Sequence, residues 1–319
     1  MTRILITGCT GFIGRFLSKK LVERGYEVYG LTRRDKFFSK ELPIHYVYGD
    51  LKDEKSLEKA LLKARPDIIL HLAALTPVRF SFNKPREYAE VNYIGTVNLV
   101  QAVVRKKVKL KQFVHASTSE VYKSKDGLIS EGDPLFGGTP YGISKAAADF
   151  YIQSAGLAFD LPYTILRPAN TFGRPFNLPE EAKGYLIEKC IIQMLTQKKA
   201  YFDGHPHPKR CFLYVEDHTN AYLSILEKEK AIQEVFNVSP NNPTSVGEVV
   251  SLIGKLTGFQ GEIVWGVKPR PYDPPSICPS GNKIMRKIGW KAKYTLEEGL
   301  KKTIAYWRGI LKLNPRNYP

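Results

Sequence analysis

From residue 3 to residue 167 the chain repeats one pattern: a short unbroken apolar run, then a longer stretch whose apolar positions recur at helical spacing. The runs RILIT (3–7), EVYGLT (27–32), IHYVY (44–48), DIILHLA (67–73), KQFVHA (111–116) and PYTILR (162–167) predict strands. The stretches near 13–24, 53–64, 86–105 and 141–158 predict the helices between them. Strands that are apolar throughout need cover on both faces, which fits a parallel sheet with helices on either side. The fold class is therefore α/β, with a Rossmann-type doubly wound parallel sheet.

Past residue 167 the alternation breaks. NTFGRPFNLPEEAKG is rich in turn formers and PRPYDPPSICPSGN (269–282) is rich in proline. Between them, 215–228 has a helix pattern, and EVFNVS (234–239) reads as a strand that returns the chain to the main sheet. The expected division is interleaved. Residues 1–167 plus about 212–238 form a dinucleotide-binding domain, and 168–211 plus about 239–319 form a smaller mixed α/β lobe for substrate.

The chain has 319 residues, 43% hydrophobic and 25% charged, an ordinary globular composition without a disorder signature. No run approaches the length of a membrane span and no cleavable signal is evident, so a cytoplasmic protein is expected. Cys9, Cys190, Cys211 and Cys278 show no CxxC spacing and read as buried free thiols. The net charge of +17 is compatible with a polyanionic partner, a phosphorylated substrate or the lysine-rich surface of a heat-adapted protein. Its densest run, RKKVKLK at 105–111, reads first as a solvated connection and second as an anion contact.

The candidate chemistry begins with TGCTGFIG at 7–14, which ends the first strand and opens the first helix. Gly8 permits a tight turn, Gly11 lets the backbone approach a pyrophosphate, and Gly14 lets helix and strand pack closely; Phe12 and Ile13 lie in the same turn. A purely structural turn is the alternative. Where an acidic residue would hold a ribose 2′-hydroxyl, the chain has Thr32, Arg33 and Arg34. Guanidinium groups there suit a 2′-phosphate, so NADP is favoured over NAD; otherwise the arginines are a surface pair and NAD is bound. YGISK sets Tyr141 and Lys145 one turn apart on a helix face, where an ammonium can lower the phenol's pKa and hold a ribose. His205 and His207 lack a third ligand at metal spacing, so no metal is expected. His71 reads as packing near the cofactor rather than as an acid.

Taken with STSEVY at 117–122, HLAA (71–74), LRPANTFG (166–173), KRCFLYVEDH (209–218) and RKIGWKAKYTLEEGL (286–300), the chain resembles the extended short-chain dehydrogenase/reductases that act on nucleotide sugars. The resemblance spans nearly the whole sequence. It implies a Rossmann domain for NAD(P), a C-terminal lobe for a nucleotide-diphosphate sugar, and a homodimer. By position, Thr118 resembles the hydroxyl on the reacting sugar oxygen, Tyr141 the base for the C4 hydroxyl and Lys145 its support. Asp50 and Leu51 resemble adenine contacts. Leu72, Ala73, Ala74, Asn92, Ser117 and Pro168 line the cofactor path, and Asn170, Arg210 and Arg270 the diphosphate and nucleoside. Glu120 resembles the base that removes the C5 proton in 4,6-dehydratases, against the alternative of a structural cap on the strand. Cys211, Lys123 and Ser119 depart from the pattern, replacing the usual Asp after the arginine, the Gly after the SEVY tyrosine, and the Asp that many dehydratases use as an acid. A 4,6-dehydratase is placed first, then a 4-epimerase, then a GDP-4-keto-6-deoxymannose-type reductase. The alternative class is a non-enzymatic nucleotide-sensing or RNA-binding relative, which the Thr118, Tyr141 and Lys145 set argues against.

Overall fold

The computed structural model describes residues 1–33, 42–173 and 185–313. Its strands in chain order are β1 (Arg3–Thr7), β2 (Glu27–Thr32), β3 (His45–Tyr48), β4 (Ile68–His71), β5 (Gln112–Ala116), β6 (Tyr163–Pro168), β7 (Asn170–Phe172), β8 (Lys199–Tyr201), β9 (Lys209–Arg210), β10 (Phe212–Tyr214), β11 (Glu234–Val238), β12 (Thr244–Ser245), β13 (Glu262–Val264) and β14 (Ser276–Ile277). Seven of them form one sheet in the order β11-β6-β5-β4-β1-β2-β3, with every pair parallel. Strand order reverses between β1 and β4, where Ile6 pairs with Leu70 and Thr7 with His71. In such sheets the crevice at the carboxyl ends of the two central strands is the place for a ligand.

Side chains alternate across the sheet. Ile4, Ile6, Ile68, Leu70, Val114 and Leu166 pack into one fully buried cluster, and Leu5, Ile69, Phe113 and Ile165 pack into another on the opposite face. The covering helices of this half are α1 (Phe12–Glu23), α2 (Glu54–Ala64), α3 (Val78–Ser81), α4 (Pro85–Tyr88), α5 (Gly95–Arg105) and α6 (Pro140–Phe159). α6 starts where Thr139 accepts from Gly142 N at 2.9 Å and Pro140 opens the first turn; it stops at Asp160 with φ 51°.

The helix expected over 86–105 is instead broken into α4, a π-helical turn at Ala89–Ile94, and α5. The extra residue in that turn carries Asn92 inward, where its amide bonds both the N–H (2.8 Å) and the C=O (3.0 Å) of Leu75. The helix expected over 215–228 spans Val215–Ile225, and Glu227 turns the chain with φ 56°.

β8 to β10 and β12 to β14, with the helices Leu186–Thr196, Val246–Thr257 and Leu296–Leu313, build smaller sheets around a third core of Phe172, Ile191, Phe202, Tyr214, Ile253 and Trp307. Phe12, Ile13 and Phe16 of α1 pack against this core, which joins it to the phosphate-loop end of the main sheet. Among the described residues no helix is long and apolar enough to cross a membrane. All four cysteines are free and buried.

Candidate active site

The glycine turn has the geometry its sequence predicts. Gly8 has φ +73°, and a Cβ on it would lie 2.9 Å from Ala73 N; a Cβ on Gly14 would lie 2.1 Å from Gly8 O. Gly11 N donates to Gly8 O at 3.0 Å and Gly11 stands at the N-cap of α1. That helix has no side-chain cap and no acidic residue in its first turn, so its leading N–H groups and dipole face the crevice without a competing anion. A dinucleotide pyrophosphate fits these features.

Around the turn lie the other positions expected to meet the cofactor. Leu72, Ala73 and Ala74 leave β4 as half-buried coil, with Ala73 N donating to Thr7 Oγ1 at 3.1 Å. Asp50 caps its own loop by accepting from Lys52 N at 2.9 Å, and buried Leu51 lies under Gly95. Thr32 ends β2 half-buried and Arg33 beyond it is exposed. Arg34 lies outside the described residues. Pro168, the last residue of β6, is buried opposite Val238.

The reaction end is built by the exit from β5 and the first two turns of α6. Thr118 caps a short 3-10 turn, accepting from Glu120 N at 3.2 Å, and its hydroxyl lies near the Tyr141 phenol. Tyr141 is 8% exposed and stands edge-on to Tyr88, ring centroids 6.2 Å apart. Burial raises its phenol far above the ordinary value; the Thr118 hydroxyl opposes this, while Glu120 and Tyr185 add to it. The lowering expected from a nearby ammonium is outweighed here by burial. Lys145, 2% exposed, turns its ammonium toward His115, with Nζ 3.1 Å from Nε2. Ser117, just after β5, donates its hydroxyl to buried Asp149 at 2.8 Å.

Glu120 is 8% exposed beside this pair. Only its backbone N–H is committed locally; among the described residues its carboxylate has no hydrogen bond or ion pair. A structural cap would need one. His71 is fully committed instead, with Nδ1 2.8 Å from Thr7 Oγ1 and Nε2 2.9 Å from Thr96 Oγ1, and burial lowers it to about 3. His205 and His207 are exposed loop residues, and among the described residues no cluster could hold a metal ion.

At the far end β7 pairs with β10, and Asn170 N donates to Cys211 O at 3.1 Å, next to Arg210 at the end of β9. Arg210 Nη2 and Arg270 Nη2 both donate to Asp273 Oδ1, at 2.8 and 2.6 Å. One carboxylate thus aligns two guanidinium groups, a donor pair of the kind that can take up an anion.

The profile of the family described as GDP-mannose 4,6 dehydratase matches residues 5–303. The chain belongs to the extended short-chain dehydrogenase/reductase family of nucleotide-sugar epimerases and dehydratases. A mouse dTDP-D-glucose 4,6-dehydratase is 32% identical over 96% of this chain and 88% of its own length. The crystal structure of UDP-glucose 4-epimerase with UDP-glucose from Thermotoga maritima superposes with a TM-score of 0.88 at 30% identity, covering 97% of this chain and 99% of that one. MoeE5 in complex with UDP-glucuronic acid and NAD has a TM-score of 0.86 at 29% identity over 97% and 100% of the two chains. The protein is an enzyme of this family, whose cofactor is NAD(P).

In this epimerase/dehydratase several residues join the site that pattern reading passed over. Asp273 is one, and its signal was only that YDPP follows Arg270 in a proline-rich loop. Asp149 is another, four residues after Lys145, which itself stands four after Tyr141; that spacing puts all three on one helical face. Tyr185, whose hydroxyl lies 2.9 Å from Thr76 Oγ1, and Tyr88, which donates to Pro77 O at 2.7 Å, wall the reaction end without any local motif.

Proposed function

We propose that the protein is a nucleotide-hexose 4,6-dehydratase. The observation that carries this reading is Glu120, a buried carboxylate beside Tyr141 with no partner of its own. Such a group costs stability unless it is used.

A nicotinamide cofactor, when bound, would supply a hydride acceptor for sugar C4 and, after water is lost across C5 and C6, the hydride for C6, with C5 protonated from solvent. Thr118 holds the C4 oxygen and Tyr141 takes its proton, with Lys145 on the next turn supporting the phenol and the cofactor's ribose. The resulting 4-keto group acidifies the C5 hydrogen, and Glu120 removes it. Because Ser119 stands where many dehydratases have an acid, Glu120 itself carries that proton to the departing C6 hydroxyl. Asn170, Arg210 and Arg270 hold the nucleoside diphosphate. Gly8, Gly11, Phe12, Ile13 and Gly14 cradle the pyrophosphate, and Asp50, Leu51, Leu72 to Ala74, Asn92 and Pro168 line the rest of the cofactor path. In this reading residues 168–211 plus about 239–319 are the substrate lobe.

NADP is the favoured cofactor because exposed Arg33, with no carboxylate in the strand end it follows, suits a 2′-phosphate. The related MoeE5 complex contains NAD. Tighter binding of NADP than NAD, reversed in Arg33→Ala, supports the assignment; equal binding refutes it. The homodimer reading is supported by α6, where Ile143, Phe150 and Leu157 recur at seven-residue steps and are 54%, 59% and 90% exposed.

A second reading, 4-epimerase, is favoured by the structural likeness to UDP-glucose 4-epimerase and by Ser119. Incubation with NADP or NAD and a panel of GDP-, UDP-, dTDP- and CDP-hexoses in deuterated water separates the two. A 4-keto-6-deoxy product with solvent deuterium supports the dehydratase. A C4 epimer without deuterium refutes it in favour of the epimerase.

A further inference from the structure

Beneath the reaction centre lies a group of charged and aromatic side chains sealed from solvent. Lys145 is 2% exposed, His115 and Asp149 are 0% exposed, and Arg167 is 3% exposed. Lys145 Nζ stands 3.1 Å from His115 Nε2, which is in turn 3.6 Å from Asp149 Oδ1. Asp149 Oδ2 accepts from Ser117 Oγ at 2.8 Å and from Arg167 Nε at 2.9 Å. Arg167 Nη1 donates to Tyr122 OH at 2.9 Å, and that hydroxyl donates to Asn237 Oδ1 at 2.7 Å. Asp149 therefore pairs directly with Arg167 and faces His115, whose ring in turn contacts Lys145. His115 Nδ1 and Asp149 Oδ1 have no hydrogen-bond partner.

An ammonium has donors only, so the short contact makes His115 Nε2 the acceptor and leaves the ring proton on Nδ1. A charged imidazole is disfavoured there: burial first, then Lys145, His71 and Arg167 push His115 well below its usual value. Burial lowers Lys145 to about 8, and Asp149 opposes that shift. Asp149 is itself raised by burial, yet the adjacent guanidinium holds it as a counter-ion. The titratable groups facing Lys145 are His71 on β4, His115 on β5 and Asp149 on its own helix.

We infer that His115 and Asp149 are positioning residues for Lys145: neutral His115 orients the ammonium through Nε2, and Asp149, 3.6 Å from that same ring nitrogen, is the nearby buried counter-charge. This rests on the reading of Tyr141 and Lys145 as the reactive pair. The role goes beyond a core ion pair, which Asp149 and Arg167 would satisfy without either His115 or Lys145.

The test begins with the cofactor-free protein. Long-range proton–nitrogen spectra of its six histidines, with His115 assigned by its loss in His115→Gln, are expected to show a neutral Nδ1–H ring from about pH 5 to about pH 9. An Nε2–H tautomer, or titration within that range, overturns the inference. In the loaded enzyme Asp149→Asn is expected to move the alkaline limb of kcat to lower pH, because Lys145 then loses its proton sooner, and Asp149→Glu to restore it. His115→Leu is expected to lower kcat about tenfold, with His115→Gln recovering most of the loss. An unmoved limb in folded Asp149→Asn, with Tyr141→Phe inactive, refutes this inference alone. Retained activity in Tyr141→Phe refutes the reading beneath it. If Asp149→Asn does not fold, the histidine spectra of the native protein decide.

Discussion

Replacing Glu120 with Gln separates the two leading chemistries. The amide matches the carboxylate in size, and the local bond that shapes the turn, from Glu120 N to Thr118 Oγ1 at 3.2 Å, involves no carboxylate atom. Glu120 is 8% exposed as a residue and its carboxylate has no partner among the described residues, so neutralising it removes a charge without removing a contact. The melting temperature is therefore expected to stay level or rise. A positioned general base contributes roughly 10²–10⁴ in rate, or about 3–5 kcal/mol of barrier. Formation of the 4-keto-6-deoxy sugar is expected to fall by that factor, with loss of deuterium incorporation from heavy water. Oxidation at C4 depends on Tyr141 and persists in this variant, so a 4-keto sugar that retains its C6 hydroxyl accumulates. Product formation by NMR and a thermal melt on the same sample measure both halves. A variant within about tenfold of native turnover, or one that loses activity together with several degrees of melting temperature, refutes the base assignment.

Arg210→Ala is expected to raise KM for the nucleotide sugar roughly tenfold to hundredfold with kcat nearly unchanged, since a charge-assisted bond of about 1.5–3 kcal/mol is lost from ground and transition state alike; steady-state kinetics checks it. Leu157→Glu, at the exposed end of the α6 stripe, is expected to give a folded monomer where the native protein elutes as a dimer, read by light scattering after gel filtration. Acid is expected to destabilise the fold progressively from about pH 6.5 toward pH 3. His71 and His218 fall to about 3 by burial; the unfolded chain binds more protons in that window, so stability present above 6.5 is lost as pH drops, by up to about 5 kcal/mol per histidine. Urea midpoints across the window check the sign.

The sheet was legible because each strand is a closed apolar run: Arg3–Thr7 and Glu27–Thr32 match their predicted limits, and helix predictions erred by a residue or two at most ends. Gly8, Gly14, Tyr141 and Lys145 were legible because their constraint is local, a turn or a single helical step. What escaped depends on distant pairing. Asp273 meets Arg210 across 63 positions, and His115 meets Lys145 across 30. Ser117 was read from its neighbours in STSEVY, but its rotamer is set by Asp149 on another element. The π-helical turn escaped because helical spacing looks the same on both sides of one inserted residue.

The positions that break ordinary rules of burial gather in one place. Glu120 is a buried carboxylate without a partner, Lys145 a buried ammonium whose contact is an imidazole, and Tyr141 a phenol pushed up by burial; all sit where β5 ends and α6 begins. Each costs stability, and a protein that only sensed a nucleotide would need none of them. The glycine turn and the arginine pair on Asp273 would suffice for that task. In the proposed reading these costs fall between the glycine turn that would hold the cofactor's pyrophosphate and the arginine pair that would hold the substrate's diphosphate. Turnover of a sugar there would account for their gathering in one place.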